Sequence, residues 1–148
     1  MPGRQKTLPG GSIRVIPYGK SAGNTWRDRV ESYLRNRVEE GLRVTASATP
    51  DTNVSVSAGA IRIDNTYTWV TAGTVACGGA DSTNPRIDLI EADATGIYFK
   101  LGTAAATAYA PDPTNNRIVL AEITRAASDN AIGAADINND ARPKLGGL

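Results

Sequence analysis

The chain has 148 residues and a formal net charge of +1, and Leu, Ile, Val and Phe make up about a fifth of it. That apolar fraction is low, yet disorder also needs a large net charge, so the composition predicts a folded chain whose thin core is completed by its own copies. One cysteine and no histidine exclude an internal disulfide, a Cys-rich zinc site, a His-ligated metal and a His-activated nucleophile.

No apolar run approaches the roughly 18–20 residues of a membrane span, and the first residues lack the apolar stretch of a signal peptide. Nothing in the spacing of the remaining residues calls for a cofactor. Charge is uneven along the chain: Lys and Arg dominate before position 44, and Asp and Glu dominate after it. The basic end is diluted by Glu31, Glu39 and Glu40 and has no interleaved aromatics, which favours an acidic protein surface over nucleic acid as its partner.

Residues 1–23 read as an extended arm, broken by Pro9-Gly10-Gly11 and Ser21-Ala22-Gly23. Within it Ile13, Arg14, Val15, Ile16, Tyr18 and Lys20 are the candidate anchoring residues, alternating as a short strand laid on a partner would. Residues 24–41 are predicted to form one amphipathic helix, with Thr25 as N-cap and Gly41 as its left-handed stop. Its stripe is Trp26, Val30, Leu34 and Val38 with Tyr33 alongside, and it packs either on the β part or on the same helix of other copies. Glu31–Arg35 and Arg35–Glu39 would pair on the wet side.

From Leu42 to Pro143 the period changes to two. Short runs such as Val54-Ser-Val-Ser-Ala, Ala60-Ile-Arg-Ile-Asp, Tyr67-Thr-Trp-Val-Thr-Ala, Arg86-Ile-Asp-Leu-Ile, Gly96-Ile-Tyr-Phe-Lys-Leu and Arg117-Ile-Val-Leu-Ala-Glu-Ile-Thr predict strands. Turn residues separate them, Asp64-Asn65 and 111–116 among them. The fold class is therefore mainly β, an antiparallel sandwich or barrel-like module over 42–143 behind the arm and helix, with a loose tail at 144–148. Adjacent Leu89 and Ile90 break the alternation and predict a bulge or a strand buried on both faces. Residues 133–140 suit a helical turn.

Several side chains invite a chemical reading. Asp88, Glu91 and Asp93 are the nearest approach to a carboxylate pair for sugar hydrolysis, but Asp88 and Glu91 point to opposite faces of one strand. Solvated strand residues and a turn are the plainer expectation. Asp136, Asp140 and Arg142 suggest an ion pair pinning the last turn, since the acids lack the spacing of a calcium loop. Tyr67, Trp69 and Tyr98 could stack on a sugar, or serve as core or subunit-interface residues. Cys77 reads as an inert small residue, a free thiol or a cross-link to a neighbour.

Three stretches carry a resemblance: 44–63, which opens Val44-Thr-Ala-Ser-Ala-Thr-Pro-Asp; Asn84-Pro-Arg-Ile-Asp-Leu-Ile-Glu-Ala-Asp; and Val119-Leu-Ala-Glu-Ile-Thr running on to Asp136-Ile-Asn-Asn-Asp-Ala-Arg-Pro. In this order they resemble a small β shoulder or anchor module of tailed-bacteriophage virion proteins, found in baseplates, tail fibres, receptor-binding and decoration proteins. The resemblance covers about two-thirds of the chain and implies a non-enzymatic homotrimer in the virion, joined to another virion protein. The arm and helix would dock it, as a tail, baseplate or fibre-attachment component. A capsid decoration protein is the alternative, and a host-glycan-binding module using Tyr67 and Trp69 is a further one. Two departures are visible: Ala126-Ala-Ser-Asp-Asn replaces the family's Ala-Gly turn, and only five residues follow Pro143, which implies a shoulder without a receptor-reading tip.

Overall fold

Residues 36–143 are described by a computed structural model. The expectations placed on the arm (Ile13, Arg14, Val15, Ile16, Tyr18, Lys20), on Trp26, Val30, Tyr33 and Leu34, and on 144–148 fall outside the described residues.

The strands are β1 (Arg37–Gly41), β2 (Val44–Ala46), β3 (Asn53–Val56), β4 (Gly59–Ile63), β5 (Thr66–Val70), β6 (Gly73–Ala76), β7 (Arg86–Asp93), β8 (Gly96–Lys100), β9 (Ile118–Arg125) and β10 (Ile137–Asn138). They form three antiparallel sheets ordered β1-β4-β5, β2-β3-β6 and β10-β9-β7-β8. Asp64 and Asn65 close the β4–β5 hairpin with φ of 49° and 66°, the paired left-handed conformation that a two-residue turn needs and that Asp and Asn tolerate.

All three sheets feed one apolar cluster. Val38, Ile61 and Val70 enter from the first, Val44, Val54, Val56 and Val75 from the second, and Ile90, Leu120 and Ile123 from the third. Among the described aromatic residues only Phe99 packs against it, half-buried. The interior is built from small branched side chains, as the composition anticipates. Among the described residues no helix is long and apolar enough to cross a membrane.

The helix expectation is corrected at its C-terminal end. Arg37–Gly41 is a strand, and Val38 is opposite Ile61 in the β1–β4 ladder rather than on a helical stripe. Tertiary pairing overrides a weak helical preference here, because Val38 is buried by a strand partner and Glu39 finds Arg62 across the ladder. Gly41 does take the left-handed conformation, φ 63°, but at the end of a strand. Two shorter elements escaped the sequence reading, β6 and β10. The turn expected over 133–140 is two 3-10 turns, Ala134–Asp136 and Asn139–Ala141, with β10 between them.

Both readings of the irregular run at Leu89-Ile90 hold. β7 is buried on both faces along most of its length, and its pairing with β9 shifts register between Ile90 and Glu91. One face (Arg86, Asp88, Ile90, Ala92) turns to the cluster side. The other (Leu89, Glu91) is covered in part by the segment 101–117, whose Thr114 N–H donates to Glu91 Oε2 at 2.7 Å.

Gly41 and Gly59 face each other across β1 and β4 where the chain turns into β2. A Cβ on Gly59 would sit 2.2 Å from the Glu40 carbonyl oxygen and 2.6 Å from the Leu42 nitrogen, whereas one on Gly73 would meet only Ile97 Cδ1 at 3.9 Å. Gly59→Ala is therefore expected to cost about 1–3 kcal/mol and Gly73→Ala to stay within about 0.5 kcal/mol of the parent. Urea denaturation of both variants checks this, and equal losses would contradict the close approach.

Candidate functional site

Three clusters bear on function: a buried charge network, an exposed aromatic face and a long covering segment. The first occupies buried positions of β7 and β9. Arg86 and Asp88 share one face of β7, and Arg125 ends β9 directly opposite Arg86. Asp88 is fully buried and Arg125 nearly so. Arg86 Nε donates to both Asp88 oxygens, at 2.9 and 3.1 Å, and Arg125 Nη1 reaches Asp88 Oδ2 at 3.4 Å.

Two guanidinium groups thus share one carboxylate. Backbone dipoles supply the rest: Cys77 O accepts from both arginines and Gly78 O from Arg125 at 2.8 Å. The Gly102 N–H donates to Asp88 Oδ1 at 2.8 Å, filling the carboxylate's remaining capacity. Gly78, at φ 68°, turns the loop so that its carbonyl meets the arginine. The loop is fixed in turn by Asp81, whose carboxylate accepts from the N–H groups of Thr83 and Asn84 and is held below its ordinary range by them. Asn130 accepts from the Ala80 N–H, and Ser128 donates from its N–H to Asp81 O.

The expectation that Asp88 and Glu91 are solvated is corrected: both are fully buried. They do lie on opposite faces of β7, as alternation requires, so they form no acid–base pair. Glu91 Oε1 has no hydrogen-bond partner among the described residues and faces Arg117 Nη1 at 3.8 Å. Asp93 opens the β7–β8 turn. Burial works against its charge, but the Thr95 hydroxyl and N–H and the Arg117 guanidinium outweigh burial and hold its carboxyl below the usual range.

Tyr98 does not join the other aromatics. The Arg117 guanidinium lies 3.7 Å from its ring centroid and covers it. Tyr67 and Trp69 are different, being 50% and 55% exposed on the outward face of β5. Their cross-strand partners on β4 are Arg62 and Ala60. Arg62 lies over the Tyr67 ring at 5.9 Å and bonds Glu39, which also takes Arg37 at 3.0 Å. Tyr67 donates its hydroxyl to Glu40 Oε1 at 3.2 Å, and its phenol is pushed above its ordinary value by desolvation and by that acceptor. The face is aromatic, pre-arranged and close to neutral.

The third cluster is the segment 101–117, which contains no strand or helix. Besides the Gly102 and Thr114 bonds, Ala105 N–H donates to Pro85 O, and Lys100 Nζ to Asp112 O. Leu101 and Tyr109 stand out from it, 61% and 76% exposed. A recess of about 340 Å³ opens between Thr103, Ala105, Thr107, Tyr109, Pro111 and Asp112.

The last turn is pinned, as expected of Arg142, but chiefly through carbonyls. Arg142 donates to Gly41 O at 2.7 Å, to Leu120 O at 3.1 Å, to Leu42 O and to Asn139 Oδ1. Asp136 accepts from the Gly133 N–H instead. Among the described residues no three Asp, Glu or Cys side chains gather to hold a metal ion. Cys77 is buried and its thiol is pushed up to about 11, first by burial, which suits the inert reading.

Sequence reasoning missed Arg86 and Arg125 as network members. The usable signal was an arginine at a core-facing position, two residues from an aspartate of the same parity in β7 and from Ile123 in β9. Compared with protein-family models, curated proteins and solved structures, the chain matches none of them.

Removing the shared carboxylate leaves two buried guanidinium groups with carbonyl partners only. Asp88→Ala is expected to cost about 3–5 kcal/mol, and Asp88→Asn less, because the amide oxygen still accepts. Chemical denaturation measures both, and a loss under about 1 kcal/mol for the alanine variant would show that the carbonyls suffice.

Proposed function

We propose that this chain is a non-enzymatic structural module of a tailed-phage virion. In this reading it is a homotrimer whose sandwich-like or barrel-like β module, β1 (Arg37–Gly41) included, is joined to another tail or baseplate protein by the arm and helix read in the sequence before it. One observation supports this most. Among the described residues the clustered charges Arg86, Asp88 and Arg125 are bonded to one another inside the fold, while the exposed large hydrophobic side chains are Tyr67 and Trp69 on β5 and Leu101 and Tyr109 on 101–117. Asp88, locked between two arginines, is a fastener in this arrangement and has no room to serve as an acid or base.

A second reading is favoured by one observation. Tyr67 and Trp69 are exposed on one face, which a host-glycan-binding module needs for stacking against sugar rings. It predicts glycan-array binding that Trp69→Ala abolishes, in a chain that works as a monomer.

The structural reading predicts a separable anchor. A chain lacking residues 1–23 should melt at the temperature of the full chain yet be missing from purified phage tails, as scored by immunoblot. Normal incorporation of the shortened chain would overturn the anchoring role.

A further inference from the structure

Two buried carboxylates of β7 hold the two ends of the segment 101–117. Gly102, at its start, donates its N–H to Asp88 Oδ1 at 2.8 Å, and Thr114, near its end, donates to Glu91 Oε2 at 2.7 Å. Both acids are fully buried. Between these points the segment has neither strand nor helix. We infer that it is an acid-released strap, whose Thr114 end is latched by ionised Glu91 and comes free when that carboxylate takes up a proton. The inference concerns the single chain and does not depend on the assembly proposed above.

The latch works only with the charged form. The groups set against the Glu91 oxygens are donors: the Thr114 N–H on Oε2, and Arg117 Nη1 at 3.8 Å from Oε1. Oε1 itself has no hydrogen-bond partner and is shut off from solvent. A protonated Glu91 has an O–H that must either face a guanidinium, which cannot accept, or displace the Thr114 N–H. Either way a buried donor is left without an acceptor, which is more expensive than the bond was favourable. Lifting the strap end admits water and relieves that penalty. The hold is therefore present while Glu91 is ionised and is lost as falling pH protonates it.

The neighbouring groups decide which end opens. On the same face of β7, Asp93 takes Arg117 Nε at 3.3 Å. Burial opposes the Asp93 charge, but the Thr95 hydroxyl and N–H and Arg117 hold its carboxyl below the usual range. Arg117 therefore stays with Asp93 in acid. Tyr98, opposite Glu91 on β8, has its ring under the same guanidinium. Lys100 and Glu122 lie farther along, each opposite Leu89 on its own strand, and Lys100 Nζ holds the Asp112 carbonyl. One guanidinium is thus divided between two carboxylates at the Thr114 end. At the Gly102 end the count is reversed, because Asp88 has both Arg86 and Arg125. Acid frees the Thr114 end first, and the strap hinges at Gly102 to uncover Leu89 and Glu91 on the outer face of β7.

Amide hydrogen exchange, read by NMR on the full chain and corrected for the intrinsic effect of pH, tests this. As the pH is lowered from neutral toward the onset of global unfolding, protection at Thr114 should fall about 10- to 100-fold, as for loss of a hydrogen bond to a charged group. Gly102, Ile90 and Ile123 should keep theirs over the same range. Glu91→Gln retains the size and one acceptor oxygen but sets an amide NH2 before Arg117, as the protonated acid sets its O–H. In that variant Thr114 should exchange fast already at neutral pH, with no further loss in acid. Thr114 protection that persists until Gly102, Ile90 and Ile123 lose theirs overturns the strap, and so does a Thr114 still protected in Glu91→Gln. Should the variant fail to fold, the profile of the parent chain decides alone.

Discussion

The arrangement of the domain depends on one buried carboxylate. Asp88 takes charge-assisted hydrogen bonds from Arg86 and Arg125 and a backbone bond from Gly102. Those four residues come from β7, β9 and the start of the covering segment, and the arginines add the carbonyls of Cys77 and Gly78. A core of Val, Ile, Leu and Ala holds strands together without fixing which loop lies where. A desolvated charge does fix it, because each unfilled position around it is expensive. The loop after β6 and the segment after β8 are therefore placed by the same group.

A second fastener closes the chain on itself. Arg142 and Asn139, near the end of the described residues, bond to the β1–β2 turn. Asn139 gives and takes with the backbone of Val44 as a neighbouring strand would, and Pro143 O accepts from the Val38 N–H. Backbone groups along β1 and β2 are satisfied in this way. Nothing described does the same for the outer side of β5, and the contrast gives the aromatic face its interest.

The period-two runs were legible because each strand has one clear apolar set: Val54 and Val56, Ile61 and Ile63, Ile118 and Leu120. The hairpin turn at Asp64-Asn65 and the irregularity near Ile90 were legible for equally local reasons, left-handed tolerance and broken alternation. Arg37–Gly41 was misread, because Val38 at a four-residue spacing from Leu34 also fits a strand whose partner is distant in sequence. Arg86 and Asp88 were not read as buried, because a charge at a core-facing position becomes intelligible only when its partner is known. Arg125, thirty-seven residues from Asp88, is such a partner. Tyr67 and Trp69 were singled out by type and spacing. Their exposure, which separates core from surface, is a property of the sheet edge.

In the function proposed above, a small interior and the exposed aromatics of β5 belong to one account, in which apolar area that the single chain does not bury would be buried between copies. The most direct measurement is the mass of the purified full chain in solution by light scattering across the micromolar range. The account predicts three times the 15.5 kDa of one chain. A stable species of 15.5 kDa at every concentration would contradict it.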